Sequence, residues 1–277
     1  MSNNTHLNKA KVVKNDEFYT FIEDIEKEVL YYKEHFKNKV VYCNCDKYNV
    51  SNFVKYFKEN FETLGLKKLL STGYNADGCG VYYEYNGSYE IINDLKGNGD
   101  FRSEECVEIL QTSDIVVTNP PFSLFREFIT LLYENDKSFL SIGCQNSFAC
   151  KNVFELYKKN KIWYGKNNVK KFTTPYDGEM KFGNVGWFTN LEPSVTRPKM
   201  ELTKHYDKNV YRVYDDYNAI ECSKLKDIPM DYDGLIGVPI TFACKHNVEQ
   251  FEVIDLITPV IDKKQIYKRI VIKNKTI

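Results

Sequence analysis

The sequence predicts an α/β protein built on a mostly parallel sheet with both faces covered, and three observations carry that expectation. Short apolar runs alternate with segments of helical periodicity across residues 39–142. The run Ile115-Val116-Val117 is apolar at consecutive positions, as in a strand buried on both faces. Residues 39–43 lead into a segment in which Phe53, Phe57, Phe61 and Leu64 recur at helical spacing, the beginning of a strand–helix–strand unit.

The elements follow in order. Residues 39–43 form the first strand, and Ser51 caps the next helix, because a hydroxyl there accepts from an otherwise unpaired N–H of the first turn. Residues 67–71 form a second strand. Residues 82–85 and 89–92 flank Asn86-Gly87, a dipeptide that suits a tight hairpin because both positions tolerate φ > 0. Ser103, followed by Glu104 and Glu105, opens another helix. Residues 115–117 are a strand, 123–133 a helix and 139–142 a strand again. Ile162-Trp163-Tyr164 and residues 185–189 read as the last strands. After Leu191 the chain grows richer in Pro, Asp, Tyr and Lys with no clear helix, which divides it into residues 1–190 and 191–277. No internal repeat or low-complexity segment occurs.

Composition limits the function classes. A chain of 277 residues, 43% of them hydrophobic, suffices for one large domain or one domain with a substantial appendage. Lys plus Arg equals Asp plus Glu at 38 each, so a nucleic-acid surface has to be local. The longest uncharged apolar stretch, residues 138–150, falls short of the roughly 20 residues needed to span a bilayer. The N-terminus lacks the apolar centre of a secretory signal, and the expected location is cytoplasmic, with no membrane partner. Cysteines at 43, 45, 79, 106, 144, 150, 222 and 244 form no CxxC pair and no zinc-spaced cluster, so they read as free thiols with no metal site.

The most informative stretch is DIVVTNPPFSLFREFI, residues 114–129. Asn119-Pro120-Pro121-Phe122 stands at the carboxyl end of an apolar strand, where open parallel sheets bind ligands. Proline fixes φ and holds the preceding residue extended, which aims the Asn119 amide oxygen and the Pro120 carbonyl at one point. Two converging acceptors take both hydrogens of an exocyclic amino group and draw its lone pair out of ring conjugation. Phe122 then offers a flat face beneath the ring. The alternative is a strand-terminating Pro-Pro turn with Phe122 in the core.

This motif resembles that of amino-group methyltransferases that use S-adenosylmethionine. Its surroundings resemble the EcoRI-type adenine-specific DNA methyltransferases almost end to end: LNKAKVVKNDEFYT, KVVYCNCD, GDFRSEE, DIVVTNPPFSLFREF, GWFTNLE and IPMDYDGLIGVPITF. The resemblance implies a Rossmann-like class I methyltransferase fold, with a mostly parallel seven-stranded sheet whose last strand is antiparallel. It also implies an S-adenosylmethionine-binding catalytic domain in residues 1–190, a target-recognition region in 191–277, and methyl transfer to N6 of an adenine flipped out of double-stranded DNA. By the same resemblance Asn119, Pro120, Pro121 and Phe122 are catalytic, with Asn119 also lining the cofactor site. Phe18, Tyr19 and Thr20 cap the methionine part of the cofactor, with Thr20 near its carboxylate or, alternatively, capping a helix. Cys43, Asn44, Cys45 and Asp46 form the first cofactor loop. That loop holds no glycine, and where the family continues with a second acid and a proline this chain has Lys47 and Tyr48. Asp100 and Phe101 hold the cofactor's adenine, unless Asp100 serves only the turn before Ser103.

A basic segment suggests where DNA lies. Residues 151–171 carry seven lysines and one acid, Glu155, interleaved with Trp163 and Tyr164. Lys158, Lys159, Lys161, Lys166, Lys170 and Lys171 read as phosphate contacts, or else as a solvated helix face. Residues 263–275 are a second basic run and read as a soluble tail. Residues 197–205, with Arg197 at their head, are candidates for base readout. Asn146 either borders the pocket or packs. Rival readings are methylation of RNA or of a protein glutamine, and a non-catalytic DNA-binding relative. The resemblance favours a monomer, with a companion restriction endonuclease as a genetic rather than a physical partner.

Overall fold

A computed structural model describes residues 19–174 and 178–277. The chain forms two compact units, Met1–Cys144 with Tyr164–Ser194, and Gln145–Trp163 with Val195–Ile277. The second unit thus draws on two stretches of the chain, whereas the sequence suggested a single division near residue 191.

The first unit opens with β1 (Tyr19–Thr20) and α1 (Ile22–Val29), followed by β2 (Val40–Cys43), α2 (Asn52–Glu59) and α3 (Phe61–Leu64). Next come β3 (Lys68–Gly73), β4 (Val81–Tyr85), β5 (Glu90–Asp94) and α4 (Glu104–Gln111). Then follow β6 (Ile115–Thr118), α5 (Phe125–Glu134) and β7 (Ser138–Cys144), and later β8 (Trp163–Asn168), β9 (Lys171–Thr174), β10 (Gly178–Lys181) and β11 (Val185–Thr189). Eight strands form one sheet in the order β5-β4-β3-β2-β6-β7-β11-β8, one strand more than expected. At its centre β3, β2, β6 and β7 run parallel, and the expected antiparallel strand is β11, paired with β7. Strand order reverses between β2 and β6, so the segments after these two strands emerge side by side at the carboxyl edge.

Local chemistry explains the elements. All four residues of β6 are buried; Ile115 and Val117 join a core with Val41, Phe53, Ile142 and Trp187, while the pleat turns Val116 and Thr118 to the opposite face. The Ser51 hydroxyl accepts from Phe53 N–H at 3.0 Å and that of Ser103 from Cys106 N–H at 3.3 Å, both as expected of caps. The hairpin of β4 and β5 differs from expectation. Tyr85 pairs with Glu90, leaving a four-residue loop in which Asn86 Oδ1 accepts from the N–H groups of Ser88 and Tyr89, both at 3.1 Å, and only Gly87 takes positive φ, +92°. Helix α5 starts at Phe125 rather than at 123, because Phe122–Leu124 form a 3₁₀ turn closed by Leu124 N–H on the Pro121 carbonyl at 3.0 Å.

One element was not legible. β10, β9 and β1 form a separate three-stranded antiparallel sheet, in which lysines at 171 and 181 interrupt any apolar alternation while Phe172 is fully buried.

The second unit holds α6 (Lys151–Lys158), β12 (Ile220–Glu221), β13 (Leu235–Pro239), β14 (Phe251–Ile257), β15 (Val260–Ile261), β16 (Lys264–Gln265) and β17 (Arg269–Asn274). Its sheet runs β12-β13-β17-β14, and β15 and β16 form a small hairpin between the paired strands β14 and β17. Ile236, Val238, Phe242, Phe251, Ile270 and Ile272 make its core, beside a half-buried pair of Arg269 and Glu221 at 2.7 Å. No described helix is long and apolar enough to cross a membrane, and all eight cysteines are free, Cys79 being exposed.

Candidate active site

The segment after β2 is pinned to both neighbouring strands. Asn44 is buried, and its carbonyl accepts from the Thr72 hydroxyl at 3.2 Å. Asp46 N–H donates to the Thr72 carbonyl at 3.1 Å, and the Asp46 carbonyl accepts from the Ser71 hydroxyl at 2.8 Å. Cys43 belongs to β2 itself, and Lys47 lays its side-chain stem against Gly73 at the end of β3.

Asp46 faces protein donors. Its Oδ1 accepts from the Ser51 hydroxyl at 2.6 Å, its Oδ2 from the Thr118 hydroxyl, and the carboxylate also accepts from Asn119 N–H. Burial pushes its pKa up to about 6 against the lowering effect of those three donors. Asp46 therefore joins the cap of α2 to the last residue of β6 and to the first residue of the Asn-Pro-Pro-Phe motif. Sequence reasoning read Ser51 only as a cap and overlooked Thr118. The available signal was a lone hydroxyl closing an otherwise apolar strand.

The motif itself is supported by a cage of aromatics. Asn119 is half-buried with its Oδ1 shielded from solvent, and Pro120 is buried. Phe122 is half-buried and lies 6.0 Å from both Phe172 and Phe182, nearly perpendicular to each at 82° and 89°. Phe172 sits opposite Thr20 in the β1–β9 ladder, and Asn52 Nδ2 donates to the Thr20 carbonyl at 2.8 Å. Strand β1 and the motif thus meet through β9. Thr20 is not a helix cap: it lies in β1, Phe21 precedes α1, and its buried hydroxyl has no hydrogen-bond partner among the described residues. Tyr19 pairs with Thr173, and Phe18 lies outside the described residues.

Asp100 reaches the same edge through a glycine turn. Gly99 has φ +81°, and a Cβ on it would come within 2.5 Å of the Gly73 carbonyl oxygen, so only glycine fits this approach to β3. Arg102 engages both Asp100 oxygens, through N–H and Nε at 2.9 Å and Nη2 at 2.7 Å, and also reaches Glu127 at 2.7 Å. These bonds hold the Asp100 carboxyl below the usual range. Phe101 is buried, 5.4 Å from Phe128 and edge-on to it. Burial and then the carboxylates of Asp46 and Asp100 push up the Cys45 thiol, so all three groups share one neighbourhood.

The family model for the adenine-specific methyltransferase EcoRI matches residues 6–276. The chain belongs to that family. It is 46% identical to the type II methyltransferase M.EcoRI of Escherichia coli, over 98% of this chain and 97% of the relative. It is 39% identical both to the type II methyltransferase M.MgeORF184P of Mycoplasma genitalium and to M.MpnI of Mycoplasma pneumoniae, over 90% of this chain and 86% and 85% of theirs. No solved structure matches it. The central sheet, parallel in the middle and closed by antiparallel β11, is consistent with a class I methyltransferase fold.

Within this EcoRI-family chain the candidate DNA contacts occupy different settings. Lys158, Lys159 and Lys161 are exposed in the second unit, and Lys170 is exposed in the first. Lys171 is paired with Glu179 at 3.0 Å, and the Lys166 ammonium lies 6.0 Å from the Tyr31 ring. Arg197 is half-buried and donates to the Cys244 carbonyl, and Asn146 is exposed. Glu28, unnoticed in the sequence, is fully buried and accepts from the N–H groups of Lys166 and Asn167 at 2.7 and 2.8 Å.

Proposed function

We propose that this DNA methyltransferase transfers the methyl group of S-adenosylmethionine to the N6 amino group of an adenine flipped out of double-stranded DNA. The observation that carries the reading is the position of Asn119-Pro120-Pro121-Phe122, directly after β6 and beside the strand-order reversal, in a member of the EcoRI methyltransferase family. When bound, the cofactor supplies an electrophilic methyl carbon on a sulfonium sulfur. The chain's own residues do the rest by positioning, which can lower the barrier by roughly 7–11 kcal/mol at best.

Asn119 Oδ1 and the Pro120 carbonyl accept the two amino hydrogens, which frees the nitrogen lone pair to form the new N–C bond as the C–S bond breaks. The same two dipoles stabilise the positive charge that develops on nitrogen until a proton leaves. Phe122, braced by Phe172 and Phe182, supports the flipped base and returns roughly 1–3 kcal/mol of lost stacking. The buried Thr20 hydroxyl is a donor suited to the cofactor's carboxylate, which fits the donor left over at that site. Cys43, Asn44 and Cys45 line the loop after β2, and Asp100 and Phe101 stand at the edge where the cofactor's adenine is held. Exposed Lys158, Lys159 and Lys161 of the second unit contact phosphates, as do Lys166, Lys170 and Lys171 of the first, and the second unit, which carries Arg197, recognises the target.

Asn119→Ala tests the assignment. Methyl transfer to duplex DNA, read as N6-methyladenine by mass spectrometry, should fall by about 10²-fold or more while calorimetric binding of S-adenosylmethionine persists. Near-wild-type turnover would reject the role of Asn119. Preferential methylation of RNA or of a glutamine peptide by the unmodified protein would reject the substrate.

A further inference from the structure

The Asn-Pro-Pro-Phe motif has a positioning problem that its own sequence creates. Pro120 and Pro121 have no N–H, so beyond the last ladder pair of β6, Thr118 with Ser141, Asn119 carries the only backbone donor before Phe122. That donor goes to the carboxylate of Asp46, which also holds the Thr118 hydroxyl on Oδ2 and the Ser51 hydroxyl on Oδ1. Asp46 is itself immobilised, through its N–H on Thr72 and its carbonyl on Ser71, both in β3. A rigid path therefore runs from β3 through one carboxylate to the residue that must aim at the amino group.

We propose that Asp46 is a positioning residue for methyl transfer, its carboxylate fixing Asn119 through the Asn119 N–H and Thr118 hydroxyl rather than acting as a cofactor ligand. The inference rests on the reading of Asn119 given above. Its physical basis is that a displacement of about 1 Å at a reacting group can cost on the order of 10²-fold in rate. A carboxylate suits the task because it accepts several donors at once, whereas an amide presents one oxygen and one hydrogen-bearing nitrogen.

The decisive measurement compares wild-type protein with Asp46→Asn and Thr118→Val in steady-state methylation of duplex DNA and in calorimetric titration with S-adenosylmethionine. Asp46→Asn should lower kcat by about 10²-fold and Thr118→Val by about tenfold, with cofactor Kd within about threefold of wild type in both. The acidic limb of the wild-type kcat profile, falling below about pH 6 as Asp46 protonates, should vanish in Asp46→Asn. Other groups around Asp46 leave that limb alone: the Cys43, Cys45 and Cys106 thiols are pushed up by burial, and Asp100 is held low by Arg102. An Asp46→Asn protein with wild-type kcat and a cofactor Kd weakened more than tenfold would make Asp46 a cofactor ligand and overturn the proposal. Should Asp46→Asn fail to fold, Thr118→Val decides alone, and an unchanged kcat refutes the proposal. Wild-type activity with both variants unimpaired defeats this inference only; a wild-type protein unable to methylate adenine in DNA defeats it together with the reading beneath it.

Discussion

Keeping a carboxylate ionised inside the protein opposes folding, and Asp46 illustrates the trade. Burial raises its pKa from 3.8 to about 6, so the folded chain binds a proton more readily than the unfolded chain does. The stabilisation that accompanies protonation is fully present below about pH 4 and is lost as pH rises through about 6, a swing of roughly 3 kcal/mol at 1.36 kcal/mol per unit. The ionised form that binds three donors and positions Asn119 is therefore the one the fold tolerates less well, a pattern expected at functional sites. Asp46→Asn removes the titration. Urea unfolding should show wild type gaining roughly 1.4 kcal/mol relative to Asp46→Asn when pH drops from about 7.5 to about 5. Groups common to both proteins cancel in that difference, and a constant difference across the range would contradict the raised pKa. At this scale the sequence pointed to candidate reacting residues but not to what holds them. Asn119 and Phe122 were legible because two prolines after an apolar strand are rarely accidental, whereas the bond from Asp46 to Thr118 joins positions far apart in the chain.

Elements were legible in proportion to how locally their signals are written. The strands β2 and β6 declared themselves as continuous apolar runs, β3 and β7 as shorter ones, and the caps of α2 and α4 as single serines. The β9–β10 hairpin did not, because its stability comes from two aromatic side chains packed on distant partners. Phe172 is fully buried, 5.5 Å from Phe182, 6.0 Å from Phe122 and opposite Thr20. Truncating it to alanine should cost about 3–5 kcal/mol by thermal unfolding and should also depress kcat, since Phe122 and β1 lose a shared support. Phe172→Leu should recover most of the stability but little of the activity, because the perpendicular ring contact is lost. Equal recovery of both would reduce the hairpin to a purely structural element. The approach to that hairpin is fixed by Glu28, whose buried carboxylate accepts from the Lys166 and Asn167 N–H groups and from Asn167 Nδ2 at 2.9 Å. Glu28→Gln places an amide group against backbone donors and should cost about 1–3 kcal/mol, visible as a lower midpoint of urea unfolding.

At the scale of the molecule, a formal charge of zero means that attraction to a polyanion has to be built from local clusters. The second unit was only partly legible: its sheet joins β12, β13, β17 and β14 across long connections, and the sequence there offered no helix and few alternating runs. The basic segment of residues 151–171, shared between the two units, was legible, and the structure sorts its lysines by what they already do. Lys171 is neutralised by Glu179 and Lys166 lies over Tyr31, whereas Lys158, Lys159 and Lys161 are exposed with no ion pair among the described residues. If these three bind phosphates, each releases counterions on binding DNA, and the logarithm of affinity falls with the logarithm of salt by about 0.9 per contact. Replacing all three with alanine should therefore flatten the slope by roughly 2.7, weaken specific and unrelated duplexes alike, and leave cofactor affinity and melting temperature nearly unchanged. The contrast with Lys171→Ala sharpens the test. That lysine already faces a carboxylate, so its removal should change the slope far less than the loss of any one exposed lysine. An unaltered slope in the triple variant would show that these lysines are a solvated face, and would move the DNA surface elsewhere.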